Sequence, residues 1–358
     1  MEQPVTDEVL IRREGRAGRI TMNRPKALNA LTLPMVGRIW DALVAWQSDP
    51  AVELVVLDGA GERGLCAGGD VRGLYDSRTQ GSSIARKFWS DEYRLNALIG
   101  RYAKPFVAIQ DGIVMGGGIG LSGHTRYRIV TERSQLAMPE TGIGLIPDVG
   151  GTWLLAHAPG ETGVYLGLTG EIMRAADAIY ARFSDRLVPS AKLGALIARL
   201  ADPAGGRVEE AIAAFKEAPG QSGLESRRSD IDRAFAPASV EEILAALAAT
   251  PGDWAAKAAA GLAQKSPKAM KVTLAAIRNA RGLASLEAAL NVEYRLVSRL
   301  FEDGEFPEGV RALLVDKDRK PKWSPPDLAG VDEKLVRSYL APLPAGEELG
   351  LAIREGNR

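Results

Sequence analysis

Phe106-Val107-Ala108-Ile109-Gln110-Asp111-Gly112-Ile113-Val114-Met115-Gly116-Gly117-Gly118-Ile119-Gly120 places a short apolar run ahead of a turn and a glycine cluster. The run at 106–109 follows Pro105 and has the composition of a buried strand. The same order occurs upstream, where the apolar run at 52–57 precedes Leu65-Cys66-Ala67-Gly68-Gly69-Asp70. A third apolar run spans 127–130, and helical patterns separate the runs. Strands alternating with helices predict βαβ units wound into a spiral or layered α/β body.

Working outward, residues 9–13 and 19–22 read as two strands joined by a turn at 15–18, after which Asn23-Arg24-Pro25 breaks the pattern. A helix follows, with Thr32 as N-cap and Pro34 in its first turn. Val36, Ile39, Trp40, Leu43 and Val44 recur at helical spacing and predict its core face. From about Pro189 the chain becomes alanine-rich and helical by pattern. Ser266-Pro267 marks a helix start running toward Gly282, and 286–301 forms another amphipathic helix. Residues 320–326 read as a tail that wraps the body. The expected division is a strand-rich core over 1–190 and a mostly helical region over 191–358, with a soft boundary near 189–205.

Composition narrows the chemistry. Forty-five basic and 45 acidic residues cancel, so no overall field draws the chain to nucleic acid or an anionic membrane. No apolar run reaches the roughly 18 residues of a spanning helix. Residues 1–10 hold three acidic residues and no apolar segment, so neither a secretory signal nor a basic transit peptide is expected there. The single cysteine, Cys66, excludes an internal disulfide framework and suits a reducing compartment, with the cytoplasm as the expectation. Two histidines, His124 and His157, and one cysteine leave too few ligands for an ordinary zinc site, and no metal is expected. No Gly-x-Ser-x-Gly accompanies either histidine, which argues against a serine triad. Carboxylates and backbone N–H groups remain as the candidate machinery.

Two glycine loops that each follow a strand can aim two N–H groups at one oxygen, although a tight turn needs the same glycines. Gly118-Ile119-Gly120-Leu121-Ser122-Gly123 also fits a dinucleotide fingerprint, with Glu140 twenty residues on. The fingerprint belongs directly at a strand end, and here 110–115 intervenes with its own turn. Downstream, Glu140 and Asp148 sit in an otherwise apolar loop, Met138 to Gly151, where desolvation raises a carboxylate toward acid/base use. The alternative is that Asp148 caps a helix starting near Val149 while Glu140 satisfies backbone N–H groups. Cys66 without a local histidine reads as an inert small residue, His124 as a packing residue without a role, and Arg12-Arg13 and 317–322 as solvated surface.

Asn23-Arg24-Pro25-Lys26-Ala27-Leu28-Asn29-Ala30-Leu31, then Cys66 to Asp70, then Met115 to Gly120, together resemble the crotonase (enoyl-CoA hydratase/isomerase) superfamily. Asp91 to Asn96, Met138 to Thr141, Pro147 to Gly151 and Phe306 to Ala312, continued by Lys317-Asp318, Pro321 and Trp323, look like its 3-hydroxyisobutyryl-CoA hydrolase branch. The resemblance spans roughly residues 8–325, loosely over 189–260. It implies a crotonase-like α/β spiral of ββα units closed by a C-terminal helical region, with an acyl thioester held between the glycine loops. Carried over by motif position, Gly69 and Gly117 supply oxyanion-hole N–H groups. Glu140 is the main catalytic carboxylate, and Asp148 assists it. Glu92, Gly116 and Gly117 line the acyl site, while Lys26, Ala67, Gly68 and Asp70 hold coenzyme A. The resemblance implies no cofactor beyond the coenzyme A of the substrate and places the reaction in valine catabolism. Crotonases often form trimers or hexamers, whereas a longer tail covering that interface here would leave a monomer or small homo-oligomer. Hydratases of the family carry a second glutamate where this chain has Gly120, so the resemblance favours hydrolysis over water addition.

Overall fold

The structure, a computed structural model, describes residues 7–79 and 83–353. The first six residues, part of the segment read for a leader, lie outside the described ones. Strand β1 (Val9–Glu14) pairs antiparallel with β2 (Ala17–Met22), so the turn is only Gly15-Arg16, tighter than the 15–18 turn expected. Strands β3 (Leu54–Gly59), β5 (Phe106–Gln110), β7 (Tyr127–Val130) and β9 (Arg186–Leu187) continue this sheet in parallel, in the order β1-β2-β3-β5-β7-β9. A second, parallel sheet is built from β4 (Gly64–Cys66), β6 (Ile113–Met115) and β8 (Gln135–Ala137). Each turn of the chain thus lays one strand in the large sheet, one in the small sheet, and then helix. This is the ββα spiral.

Parallel strands need cover on both faces, and alternation supplies it. Val55, Leu57, Phe106, Ala108 and Val130 enter the main core, while Leu54, Val56, Val107, Ile109 and Ile129 pack with Leu196, Leu200, Val208 and Ile212 on the opposite face. The apolar run at 52–57 begins its strand at Leu54 rather than at 52, because the Val52 N–H closes a turn onto the Asp49 carbonyl at 3.2 Å.

Helix α1 (Leu33–Ser48) starts where expected, the Thr32 hydroxyl accepting from the Met35 N–H at 3.4 Å. Its buried stripe is Met35, Val36, Ile39, Ala42, Leu43 and Trp46; Val44 falls off that stripe and is exposed, contrary to its expected core position. Helices α2 (Val71–Thr79) and α3 (Ile84–Gly100) follow β4, and α4 (Gly117–Ser122) follows β6. The fingerprint glycines 118 and 120 therefore lie inside a helix, not in a strand-end loop that cradles a pyrophosphate. After β8 come a 3₁₀ turn (Glu140–Ile143) and α5 (Gly151–Ala156).

Beyond β9 the described chain is helical. Ser266 caps the helix Pro267–Ala280 through the Ala269 N–H at 2.9 Å, and Ser285 caps Leu286–Glu302. One contiguous core runs from Val9 to Leu349 and joins strands to C-terminal helices. The tail crosses α3: Arg94 donates to the Leu349 carbonyl at 2.6 Å, and Arg86 pairs with Glu347 at 2.6 Å. No helix among the described residues is long and apolar enough to cross a membrane.

Candidate active site

The first glycine loop is fastened by the segment before α1. Leu28 and Asn29 adopt left-handed conformations (φ 53° and 56°), which turns the chain so that its backbone pairs with the loop. The Ala67 N–H bonds to Leu28, the Leu31 N–H to Gly68, and the Asp70 N–H to Leu31, all within 3.0 Å, while the Asn29 amide donates to the Gly64 carbonyl at 2.9 Å. This register leaves the Gly69 N–H unused. The second loop ends at Gly116, whose φ of +47° sets up α4 with the Gly117 N–H at its open first turn. Among the described residues, neither the Gly69 nor the Gly117 N–H donates to a protein acceptor.

The two loops meet closely. A Cβ on Gly117 would stand 3.2 Å from the Gly69 nitrogen and 2.7 Å from Glu92 Oε1. A Cβ on Gly116 would stand 2.8 Å from Glu140 Oε1. A side chain at 117 would displace Glu92 from α3 and crowd the Gly69 nitrogen, and one at 116, at a φ of +47°, would displace Glu140 of the 3₁₀ turn. The cleft they border has a volume of about 460 Å³. Ala67, Gly68, Gly69, Gly116, Gly117, Glu92, Glu140 and Asp148 all line it. Trp89 and Phe306 form an aromatic wall with ring centroids 5.9 Å apart, and Leu313 and Leu314 from a π-helical turn (Arg311–Val315) stand at its edge. Trp323, from the predicted wrapping tail, packs over Gly144, with the Lys322 N–H bonded to Glu308 at 2.7 Å.

Three buried carboxylates share this space. Burial, then the neighbouring Asp148, pushes Glu92 and Glu140 well above the usual carboxylate range. Glu92 Oε1 and Glu140 Oε2 have no hydrogen-bond partner among the described residues. Glu140 is thus not consumed in satisfying the loop. Asp148 differs: burial pushes it up to about 6, held from going further by the Tyr93 hydroxyl, which donates to Oδ2 at 2.6 Å. Asp148 does not cap a helix with its side chain; α5 begins at Gly151 behind Gly150 (φ +80°), with no side-chain cap. Its carboxylate turns instead toward Tyr93, leaving only its backbone carbonyl to accept from the Gly151 N–H at 2.6 Å.

Val149 lines the cleft with a φ of +54°, a conformation costing a β-branched residue roughly 1–3 kcal/mol. The surroundings hold it there. His124, expected from sequence only to pack, donates from Nε2 to the Val149 carbonyl at 2.8 Å; burial lowers its pKa to about 4, so the ring is neutral. The position occupied by a second glutamate in hydratases, Gly120, is closed: a Cβ there would meet Val149 Cβ at 2.7 Å and Asn96 Nδ2 at 2.9 Å.

Other expectations separate. Lys26 is exposed and does not line the cleft; its carbonyl accepts from Arg63 at 2.9 Å. Asp70 pairs with Arg24 at 3.2 Å and accepts from the Gly73 N–H at the start of α2. Cys66 is fully buried, its thiol pushed up to about 12 by desolvation, which makes it an inert small residue. Lys265 is the only cation lining the cleft among the described residues, and nothing in its local sequence announces that place. Tyr93, adjacent to Glu92 in sequence, was legible only as part of the Asp91–Asn96 motif. No group of three His, Cys, Asp or Glu residues among those described is arranged to hold a metal.

The spiral fold, the two glycine loops meeting over one cleft, and the carboxylates beside them define a crotonase-type site. A family model for enoyl-CoA hydratase/isomerase matches residues 17–340, and the chain belongs to that family. It is similar along nearly its whole length to the mitochondrial 3-hydroxyisobutyryl-CoA hydrolase of Danio rerio, 41% identical over 96% of this chain and 92% of that protein. The Homo sapiens protein of the same name is 37% identical over 94% and 89%. Among solved structures, a carnitinyl-CoA dehydratase from Mycobacterium thermoresistibile superposes with a TM-score of 0.91 at 47% identity, covering 96% of this chain and 98% of that one. An enoyl-CoA hydratase from Rhodobacter sphaeroides 2.4.1 gives 0.90 at 45%, covering 96% and 99%.

Proposed function

We propose that this protein hydrolyses a short 3-hydroxyacyl-CoA thioester, with 3-hydroxyisobutyryl-CoA giving 3-hydroxyisobutyrate and coenzyme A as the substrate of choice, in valine catabolism. The observation that carries the reading is the juxtaposition of two free glycine N–H groups with Glu140, in a site where position 120 has no room for a second carboxylate. The thioester oxygen takes the Gly69 and Gly117 N–H groups, which stabilise the tetrahedral oxyanion. Glu140 either attacks the carbonyl carbon, giving an anhydride that water then opens, or removes a proton from an attacking water. In both routes the carbon–sulfur bond breaks and the departing thiolate takes up a proton. Asp148, ionised before its neighbours and oriented by Tyr93, holds the water or the substrate hydroxyl. Glu92 lines the acyl end, Gly116 lets Glu140 approach, and Ala67, Gly68 and Asp70, with Lys26 farther out, receive coenzyme A. The reaction asks for no further cofactor. Names of the relatives above support the hydrolase reading; theirs specify mitochondria, whereas the cytoplasm is the compartment proposed here.

A second reading, water addition or elimination on an enoyl-CoA with Glu140 and Asp148 as the pair, draws on the names of the two well-superposed structures. Free-thiol release from 3-hydroxyisobutyryl-CoA, 3-hydroxypropionyl-CoA and crotonyl-CoA separates the two. Hydrolysis predicts thiol release from the hydroxyacyl substrates, reduced roughly 10²–10⁴-fold in Glu140→Gln. Loss of crotonyl-CoA absorbance without thiol would overturn it.

A further inference from the structure

Glu293 is a fully buried carboxylate that the scheme above does not use. It projects from the helix Leu286–Glu302 into the turn after Asp148. Its Oε2 accepts the Gly150 N–H at 2.6 Å, and its Oε1 accepts the Thr152 N–H at 2.9 Å together with the Thr152 hydroxyl. The Gly150 N–H and the Val149 carbonyl belong to one planar peptide group. His124 grips that group by its oxygen at 2.8 Å while Glu293 grips it by its nitrogen. This peptide joins two consecutive left-handed residues, and Val149 is the only β-branched residue with a positive φ among those described. Released, the turn would relax toward an ordinary conformation and carry the adjacent Asp148 with it. Three donors converge on Glu293, so an acceptor-only group is required there; an amide would turn an NH₂ toward an N–H.

We infer that Glu293 is a positioning residue for the reaction, holding the strained Val149–Gly150 turn so that Asp148 faces the cleft. The inference rests on Asp148 taking part in thioester hydrolysis.

The test is a double-mutant cycle in the full chain, read as thiol release from 3-hydroxyisobutyryl-CoA with folding checked by circular dichroism. Glu293→Gln is expected to lower kcat about 10-fold or more and to change KM less than about 2-fold, because an interaction realised at the transition state is lost. Added to Asp148→Asn, it should lower kcat no further than Asp148→Asn alone, since both act through one group. Thr152→Val keeps the carboxylate and removes one donor. Its smaller loss, about 3-fold, should likewise vanish in the Asp148→Asn background, and it decides the matter if Glu293→Gln does not fold. Losses that multiply with Asp148→Asn, or an unchanged kcat in both variants, would overturn the inference while leaving the hydrolase reading intact. An unchanged kcat in Asp148→Asn itself would overturn the role given to Asp148 and the inference with it.

Discussion

The Tyr93 hydroxyl donates to Asp148 Oδ2 at 2.6 Å, with both groups buried. Burial raises the pKa of Asp148, while this hydrogen bond and then a backbone one lower it, leaving it at about 6. In Tyr93→Phe burial is opposed only by the backbone hydrogen bond, so the pKa rises. If ionised Asp148 is the working form, hydrolysis is lost as pH falls through its pKa, so the acid limb of the kcat profile should move upward by roughly one pH unit, ~1.4 kcal/mol. A pH–rate profile of both proteins checks this. An unmoved limb would remove Asp148 from the rate-limiting ionisation.

Glu92 illustrates the opposite balance. Its pKa is raised by burial and then by Asp148, and Oε1 has no partner among the described residues. The native state therefore keeps a proton that the unfolded chain releases just above the ordinary carboxylate pKa. The sign follows: with more protons bound in the folded form, stability falls as pH rises from that value toward the raised one. Glu92→Gln abolishes this loss. It should be more stable than wild type at pH 8, by about 1–2 kcal/mol, and nearly equal to it near pH ~4, where both side chains are neutral. Urea unfolding at the two pH values measures the difference. A variant less stable at pH 8 would show that the ionised carboxylate is better solvated than its burial implies.

Gly117 is confined by Glu92 Oε1 and the Gly69 nitrogen, at 2.7 Å and 3.2 Å from the place a Cβ would occupy. Gly117→Ala must push apart the two N–H groups assigned to the oxyanion. The expected loss in kcat is roughly 10²–10³-fold, the effect of removing one such donor. Steady-state thiol release gives the number. Activity within a factor of about two of wild type would place the oxyanion elsewhere.

Gly120→Glu, which supplies the second glutamate that the hydratase resemblance leads one to expect at this position, should fail to create a hydratase. The new Cβ would meet Val149 Cβ at 2.7 Å and Asn96 Nδ2 at 2.9 Å, so the substitution overpacks α4 against the Val149 turn. A destabilisation of about 1–3 kcal/mol is expected, with no gain in crotonyl-CoA hydration. Thermal melting and the loss of double-bond absorbance are the readouts.

Much of this was legible along the chain because the signals are local. Strand β5 follows from an apolar run bounded by Pro105 and Asp111-Gly112, and the helix at Ser266-Pro267 from one cap and one proline. The glycine loops and the Glu140–Asp148 pair were visible because residue type and spacing along a few positions suffice to mark them. Small errors came where a non-local contact competes with a local pattern. Val44 has helical spacing but falls off the face that the sheet covers, and Asp148 has a cap's position but finds a phenol from α3 instead.

By itself the sequence determined five strands of the large sheet, the main helices, the two glycine loops and the candidate carboxylates, all set by neighbours a few residues apart, whereas the short strands of the second sheet and β9 emerged only with the fold. Which of those carboxylates is ionised, which is left without a partner and what holds the turn between them was decided only by the tertiary structure. Tyr93 and Asp148 are 55 positions apart, and Glu293 reaches Gly150 across 143. A carboxylate's pKa and aim depend on the burial and donors around it, and those arrive from elements that only folding brings together.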